Sequence, residues 1–165
     1  MRSLITLLTI FLFIAMIHNC GYYSFKGALP SYVQTIAVPL FNDQSSYPQI
    51  RENLTNKVVD SFIEDNTLKV VDESKADLIL TGTIQPIRQQ AATVQEGETV
   101  SNFKLTVNVQ VKCEDVKTGK NLFDRSVSQM NLMSVNAGLE EREQAIMEAL
   151  DLIADEIVDL TLGAW

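Results

Sequence analysis

The chain has 165 residues, with 21 acidic against 13 basic side chains and a formal net charge of −8. This length predicts one domain of ordinary size. The acidic balance argues against nucleic acid as a partner, because phosphate binding needs clustered cations. The sequence has two cysteines, Cys20 and Cys113, and one histidine, His18. A disulfide framework is therefore not expected, nor is a catalytic or zinc site built on histidine.

The N-terminal stretch has the pattern of an export signal. A short basic start is followed by an apolar run from Leu4 to Ile17, which is shorter than the roughly 18 to 20 residues of a membrane-spanning helix. With Cys20 after it, the stretch resembles a bacterial lipoprotein signal, although Asn19 replaces the small residue usual before the cysteine. We therefore expect residues 1–19 to be a signal peptide, Cys20 to carry acyl chains such as palmitate, and residues 20–31 to be a tether.

A lipid on Cys20 would hold the protein at a membrane surface without crossing it, because two or more acyl chains anchor a protein stably. The alternative is that Cys20 is one more residue of an apolar leader. Removal of residues 1–19 takes away one charge, that of Arg2, so the mature chain would carry −9. That charge argues against adhesion to anionic lipid by charge alone.

The sequence after the tether predicts a strand, a helix and two further strands. An apolar run from Thr35 to Phe41 indicates a buried strand that is stopped by Pro39. Apolar residues then recur every four positions, as in an amphipathic helix of about four turns. The stripe of this helix contains Ile50, Leu54, Val58 and Phe62, widened by Val59 and Ile63. Strands are predicted from Leu68 to Val71 and from Ala76 to Arg88, where Gly82 indicates a bulge or a close approach.

The second half of the chain predicts a long hairpin followed by a long helix. Gln89 to Val100 has no apolar period and is interpreted as a mobile hairpin tip. Phe103 to Cys113 alternates strictly between apolar and polar residues, as a half-buried strand does. Asn121 to Met133 is the next strand, and a helix from about Leu139 to Leu162 follows.

The resulting order, β-α-β-β-β-β-α, predicts an α+β fold. Each helix has a single apolar stripe, so both are expected on the same face of the sheet. We therefore expect residues 32–165 to form a two-layer sandwich with a mostly antiparallel sheet of four to five strands. The other face of the sheet would have no cover from this chain.

No motif indicates catalytic chemistry. Cys113 lies on the inward side of a regular strand, where a thiol is usually a small apolar filler. Glu140, Glu141 and Glu143 suit the positive end of a helix, although paired carboxylates could also serve a sugar hydrolase. We predict a binding or structural module that is not an enzyme, with no cofactor and no metal.

The outward side chains of the predicted strands share a small, polar and uncharged character. They are Thr81, Thr83, Thr106, Asn108, Gln110, Ser126 and Ser128. One interpretation is that threonine and serine simply suit an exposed strand. The other is that this face docks into a polar surface, such as the lumen of an outer-membrane barrel.

Four features carry a resemblance to a known family: Cys20-Gly21-Tyr22 after the leader, the strand from Ile36 to Phe41, the strand from Ala76 to Ile84, and a terminal helix before Trp165. Together they resemble the lipopolysaccharide-assembly lipoprotein family, LptE, over essentially the whole mature chain. The resemblance implies a lipid-anchored sandwich on the periplasmic face of the outer membrane. It also implies residence inside an LptD-type β-barrel, as a plug and assembly factor in lipopolysaccharide transport.

Lipopolysaccharide is a further partner that the resemblance implies, through basic residues that no local motif places. Arg88, Lys104 and Lys112 are the candidates, and the alternative is that they are ordinary solubilising charges. A second function is also open, because the Ile36 to Phe41 strand with its following helix and the Leu68 to Val71 strand is similar to periplasmic accessory domains. These are of the TolB or penicillin-binding-protein-activator type, and such a lipoprotein would regulate another envelope system.

Overall fold

Seven strands and two long helices form the part of the chain that the structure describes. The structure is a computed structural model, and it describes residues 29–92 and 102–165. In chain order the elements are β1 (Thr35–Ala37), β2 (Asn42–Asp43), α1 (Ile50–Asp65), β3 (Lys69–Val70), a 3₁₀ turn (Glu73–Lys75), β4 (Leu78–Ile84), β5 (Arg88–Ala91), β6 (Asn102–Asp115), β7 (Lys120–Ser134) and α2 (Leu139–Leu162). The predicted α+β class is confirmed, while the predicted signal peptide and Cys20 lie outside the described residues.

The strands form one mixed sheet with five strand positions: β3, β1 with β2, β4 with β5, β6, and β7. β1 lies between β3 and β4 and is parallel to both, and β2 is parallel to the second half of β4. β4 and β5 follow one another along one side of β6, and β7 runs along the other, all antiparallel to β6. The sheet therefore has more strands and more parallel pairs than the sequence predicts.

Two prolines lie where the regular strands end. Pro39 lies between β1 and β2, and Pro86 lies between β4 and β5. Proline has no backbone N–H to donate to a ladder, so β1 ends before Pro39 and β4 ends before Pro86. β2 lies just beyond the predicted strand from Thr35 to Phe41, and β5 begins at Arg88, the last residue of the predicted strand from Ala76. The start of the predicted hairpin tip, Gln89–Ala91, belongs to β5, whose exposed side chains leave no apolar period to detect. The tip from residue 93 onward lies outside the described residues.

Both helices pack on one face of the sheet, as predicted. Alternate residues of β4 and β6 are buried in this face, and the residues between them are more exposed. The helices contribute Ile50, Leu54, Val58 and Phe62 of α1 and Ile146, Leu150, Ile153 and Ile157 of α2. Burial of one such side chain stabilises the fold by about 1.5–3 kcal/mol, so this shared core holds the helices to the sheet.

Two residues of the predicted α1 stripe, Val59 and Ile63, lie outside the core. Ile63 is 60% exposed, whereas Thr55 is buried. The Thr55 hydroxyl accepts the Phe41 N–H at 3.1 Å and donates to the Arg51 carbonyl at 2.6 Å. A buried hydroxyl with its hydrogen bonds made is well tolerated, and this one satisfies a backbone group between β1 and β2.

Gly82 marks a close approach, one of its two predicted roles. A Cβ atom at this position would lie 2.5 Å from the ring of Phe41, which is itself buried. The missing side chain therefore lets the aromatic ring pack directly on the backbone of β4.

Candidate functional site: the open face of the sheet

The sheet face opposite the helices presents the polar residues that the alternating pattern predicts. In β6 the outward residues Thr106, Asn108 and Gln110 alternate with buried apolar ones. Residues directly opposite each other point to the same side of a sheet, and Asn108 and Gln110 are opposite Ser128 and Ser126 of β7. We call this surface, formed by the outward residues of β4, β5, β6 and β7, the open face.

A shallow concavity of about 530 Å³ lies on the open face. It is beside the interruption at Pro86, and Gln85 and Arg88 flank it. Its floor consists of hydroxyl and amide side chains from two strands: Thr106, Asn108, Gln110, Ser126 and Ser128. The concavity therefore offers hydrogen bonds more than apolar contact.

Side-chain hydrogen bonds organise this floor. Ser126 Oγ donates to Asn108 Oδ1, and Gln110 Nε2 donates to Asp124 Oδ1 at 2.5 Å. Amides and hydroxyls have several donor and acceptor positions each, so these groups retain hydrogen-bonding capacity. The open face can thus bind a polar partner without breaking its own contacts.

The three basic residues predicted for lipopolysaccharide contact all lie on the open face, but not together. Arg88 is opposite Thr106, so it is a diagonal neighbour of Lys104. Lys112 lies roughly 27 Å farther along β6, and its Nζ forms an ion pair with Glu114 at 3.3 Å. The structure places Arg88 and Lys104 at one end of the face and Lys112 toward the other, and their ligand stays a prediction.

The open face also contains two apolar residues that were not predicted to belong to it. Met130 and Leu132 are 60% and 67% exposed. Their signal is present in the sequence, because both share the outward register of Ser126 and Ser128 along β7. The open face therefore has a polar centre and an apolar corner.

The N-terminal segment joins the sheet at the opposite end, which we call the entry end. Tyr32 Oη donates to Asp115 Oδ2 at 2.7 Å, and Lys117 Nζ lies 4.2 Å from the centroid of the Tyr32 ring. Asp115 also accepts the N–H groups of Lys117 and Thr118 and the hydroxyl of Thr118. The segment that begins at Leu29 is thereby fastened to the turn between β6 and β7.

Two carboxylates at the entry end are held in the charged form by hydrogen bonds. Burial opposes ionisation of Asp115, but the hydrogen bonds from Tyr32, Thr118 and the turn outweigh it and hold the pKa of Asp115 below its usual value. The pKa of Asp77 is also lowered, first by the Gln34 N–H and then by the Thr35 hydroxyl. Both carboxylates fasten the ends of strands, so their role is structural.

Cys113, the one cysteine in the described residues, is buried on the inward side of β6. Burial raises the pKa of its thiol to about 12, and Asp115 adds to the rise. A neutral, buried thiol is a poor nucleophile, so Cys113 is the apolar filler that the sequence predicts. Within residues 29–92 and 102–165, no group of three or more His, Cys, Asp or Glu could hold a metal ion. Across those same residues, no helix combines the length and apolar character needed to cross a membrane.

Solved structures share this fold at low sequence identity. Protein XCC0632 from Xanthomonas campestris superposes with a TM-score of 0.62 at 15% identity, over 82% of this chain and 90% of that chain. Hypothetical protein CT253 from Chlamydia trachomatis gives a TM-score of 0.61 at 8% identity, over 80% and 97%. Uncharacterised lipoprotein B from Nitrosomonas europaea gives 0.58 at 12% identity, over 82% and 90%. At these identities the similarity shows the fold alone.

The sequence itself shows the family. A search of curated protein sequences gave no significant match. A family model described as LptE, lipopolysaccharide-assembly, matches residues 33–161, which run from before β1 almost to the end of α2. The chain therefore belongs to the lipopolysaccharide-assembly family LptE.

Proposed function

We propose that this protein is a lipid-anchored lipoprotein on the periplasmic face of the outer membrane, where it partners an LptD-type β-barrel in transporting lipopolysaccharide to the cell surface. Its membership of a family of non-catalytic lipopolysaccharide-assembly proteins supports the general role. In this role the chain is a plug and assembly factor of the barrel and carries out no chemical step.

The open face is the observation that carries the proposal. One face of the sheet is buried against two helices, while none of the described residues covers the other. The concavity of the open face presents hydroxyl and amide groups, which match the polar interior of an outer-membrane barrel better than they match lipid. A barrel lumen would supply partners for these groups.

The entry end is compatible with a lipid anchor on Cys20. About nine residues separate Cys20 from Leu29, and a chain of that length spans at most roughly 30 Å. The bond between Tyr32 and Asp115 fastens the start of the described chain to the β6–β7 turn. An anchor on Cys20 would therefore keep the entry end near the membrane and direct the opposite end of the sheet away from it.

Affinity capture of the intact lipoprotein from detergent-solubilised membranes tests the partner. We expect mass spectrometry of the eluate to identify an LptD-type barrel as the main partner. A peptidoglycan synthase, or a component of a TolB-type system, in place of the barrel would support the regulatory alternative and overturn the proposal.

A charge placed on the open face tests the docking surface. Ser126→Arg introduces a cation and a long side chain into the concavity, and we expect it to reduce the captured barrel about tenfold, because an unpaired charge at an interface is costly. Asn56→Arg is the matched control, since it adds the same charge on an exposed position of α1. Equal capture by the two variants would place the interface elsewhere.

Arg88 and Lys104 are the stronger candidates for contact with the phosphate groups of lipopolysaccharide. Loss of both charges in Arg88→Gln with Lys104→Gln should weaken binding of lipopolysaccharide to the purified protein about tenfold or more, because charge-assisted hydrogen bonds contribute about 1.5–3 kcal/mol. Lys112→Gln is the control, since Lys112 is already paired with Glu114. Unchanged binding in the double variant would remove these residues from the proposal.

The anchor and the cellular role have tests of their own. Mass spectrometry of the mature N-terminus should show acyl chains on Cys20, and Cys20→Ala should lose the stable membrane attachment that they provide. A Cys20→Ala protein that stays uncleaved and equally membrane-bound would contradict the lipid anchor. Depletion of the protein should leave the barrel misassembled and lipopolysaccharide retained in the cell, and a normal surface with an intact barrel would contradict the role in transport.

A further inference from the structure

The long edge of the sheet formed by β7 has no neighbouring strand among the described residues. β7 pairs with β6 alone along its whole length, from Lys120 to Ser134. The opposite edge, β3, has only two residues. A long edge strand presents a row of unpaired backbone N–H and C=O groups, which another extended chain can use.

The hydrogen bonds of β6 show which residues of β7 direct their backbone N–H and C=O groups toward the free edge. The Asn108 carbonyl accepts the Gln85 N–H at 2.9 Å, so the even-numbered residues of β6 direct their backbone groups away from β7 and the odd-numbered residues toward it. Val109 is opposite Val127, so the odd-numbered residues of β7 bond to β6. The backbone groups that point to the free edge therefore belong to the even-numbered residues Ser126, Ser128, Met130 and Leu132.

The edge from Ser126 to Ser134 lacks the sequence features that protect edge strands from pairing with other chains. From Ser126 to Ser134 the sequence has no charge, no proline and no glycine. Met130 and Leu132 are more than half exposed on the open face. Natural edge strands are usually short, charged or interrupted by proline, so an unprotected stretch of this length indicates a surface that pairs with another strand.

A groove of about 270 Å³ runs between this edge and α2. The strand side consists of Asn131, Leu132 and Met133, and the helix side includes Glu141 and Glu148. Asn131 Nδ2 donates to a backbone carbonyl of α2 at 2.6 Å, which holds the strand and the helix in place. The groove is therefore formed before any partner binds.

The charge of the groove specifies its occupant. Glu141 and Glu148 are exposed on the side of α2 that flanks the edge, and within the described residues neither forms an ion pair with Lys or Arg. An added strand directs alternate side chains toward α2 and toward the open face. It would meet carboxylates on the first side and the apolar Met130 and Leu132 on the second.

A second copy of this chain fits the groove poorly. Its own stretch from Ser126 to Ser134 offers no cation to the two glutamates. Antiparallel pairing of two β7 strands would also bring the acidic α2 helices of two negatively charged chains together, which costs free energy by self-repulsion. Antiparallel pairing would also place the entry ends of the two copies at opposite ends of the combined sheet.

We propose that an extended segment of a partner protein adds as a strand to the free edge of β7 between Ser126 and Ser134, with Lys or Arg side chains directed toward Glu141 and Glu148 and aliphatic side chains covering Met130 and Leu132. This mode gives affinity through the backbone and specificity through alternate side chains. The inference does not depend on which envelope system the protein serves.

Two labelled peptides of nine residues test the proposal with the purified full-length lipoprotein in detergent. In one peptide lysine alternates with valine or leucine, and in the other glutamate takes the place of lysine. Fluorescence anisotropy should show at least tenfold tighter binding of the lysine peptide. Replacement of both acids, Glu141→Gln with Glu148→Gln, should bring the two affinities within about threefold of each other. Equal binding of both peptides to the unmodified protein would overturn the charge assignment.

Ser128→Pro tests the strand addition itself. Its backbone N–H points to the free edge, so proline removes a donor for the added strand and leaves the β6–β7 hydrogen bonds intact. Binding of the lysine peptide should fall at least tenfold, while Ser128→Ala should bind as the unmodified protein does. Met130→Lys with Leu132→Lys, which alters only exposed side chains, should cause a similar loss and serves if the proline variant does not fold. Unchanged binding in these variants would overturn the proposal. So would a dimer in sedimentation that Ser128→Pro converts to a monomer, because the edge would then belong to a second copy.

Discussion

The two sides of β6 are formed by the same fourteen residues, yet they differ in burial and in what constrains their side chains. The inward residues from Leu105 to Cys113 are fully buried, and the residues between them are partly or fully exposed. The inward side must match the shape of the helices that cover it, because cores are packed closely. The outward side needs only hydrogen-bonding capacity and space. The fold is therefore determined largely by one side of the strand, while the other side is available to a partner.

Thiol reactivity should show the largest difference between the two sides. Cys113 has a pKa of about 12, so at pH 8 only about one such thiol in ten thousand is a thiolate. A Gln110→Cys thiol on the open face should react with iodoacetamide more than a hundredfold faster in the folded protein. Cys20→Ala removes the other native cysteine, and Lys112 separates the two thiols into different tryptic peptides for mass spectrometry. Equal rates at the two positions in folded protein would contradict the burial of Cys113.

Truncation of neighbouring residues should show the same difference in stability. Leu105 is fully buried, so Leu105→Ala should lower the free energy of unfolding by about 2–5 kcal/mol, through lost burial and the cavity that remains. Thr106→Ala, one residue along on the open face, should change it by no more than about 0.5 kcal/mol. Urea unfolding followed by circular dichroism measures both, and a comparable loss in Thr106→Ala would show that the open face also determines the fold.

The alternation of β6 explains why so much of the fold could be predicted from the sequence. A period of two assigns each residue of Phe103 to Cys113 to a side without knowledge of the neighbouring strands. The 3.6-residue period does the same for α2, whose predicted range from Leu139 to Leu162 is confirmed. The short strands β2 and β5 are harder to predict, because β2 has only two residues and all four residues of β5 are exposed, so neither has an apolar period.

The candidate site was predictable only in its composition. The polar residues of the open face follow from the alternation, but the concavity beside Pro86 depends on where β4 ends and β5 begins. The groove along β7 depends on where α2 lies, and no local pattern gives that packing. The fastening of Tyr32 to Asp115 joins residues 83 positions apart, which is why neither residue could be identified from its neighbours in sequence.

Gly82→Ala should also lower the free energy of unfolding through the inward side of the sheet, but by less than Leu105→Ala does. The added Cβ would lie 2.5 Å from the Phe41 ring, and overpacking of this kind costs about 1–3 kcal/mol. Thr81→Ala, one residue away and exposed on the open face, should have almost no effect. Phe41→Leu combined with Gly82→Ala should recover part of the loss relative to the sum of the single variants, as a double-mutant cycle in urea would show. Strict additivity would mean that the two positions do not meet.

Substitution of Asp115 should cause the smallest loss in the free energy of unfolding among the inward residues. Its buried carboxylate is compensated by hydrogen bonds. Asp115→Asn exchanges one acceptor oxygen for an amide group that cannot accept the hydrogen bonds of that oxygen, so a loss of about 1–2 kcal/mol at pH 7 is expected. The folded-state pKa of Asp115 lies below its usual value, so the ionised carboxylate contributes stability above the unfolded-state pKa of about 3.9. That contribution is lost as the pH falls through the folded-state pKa.

The advantage of the unmodified protein over Asp115→Asn should therefore be complete near pH 7 and shrink toward pH 3. Urea midpoints at several pH values measure this difference directly. Asp124→Asn on the open face is the matched control, because Asp124 is exposed and bonds only to Gln110 among the described residues, and its free energy of unfolding should stay within about 0.5 kcal/mol of that of the unmodified protein. A difference for Asp115→Asn that grows on acidification would show that burial, and not hydrogen bonding, controls this carboxylate. Asp115 would then destabilise the folded protein, although the structure shows its carboxylate holding Tyr32 and the β6–β7 turn by hydrogen bonds.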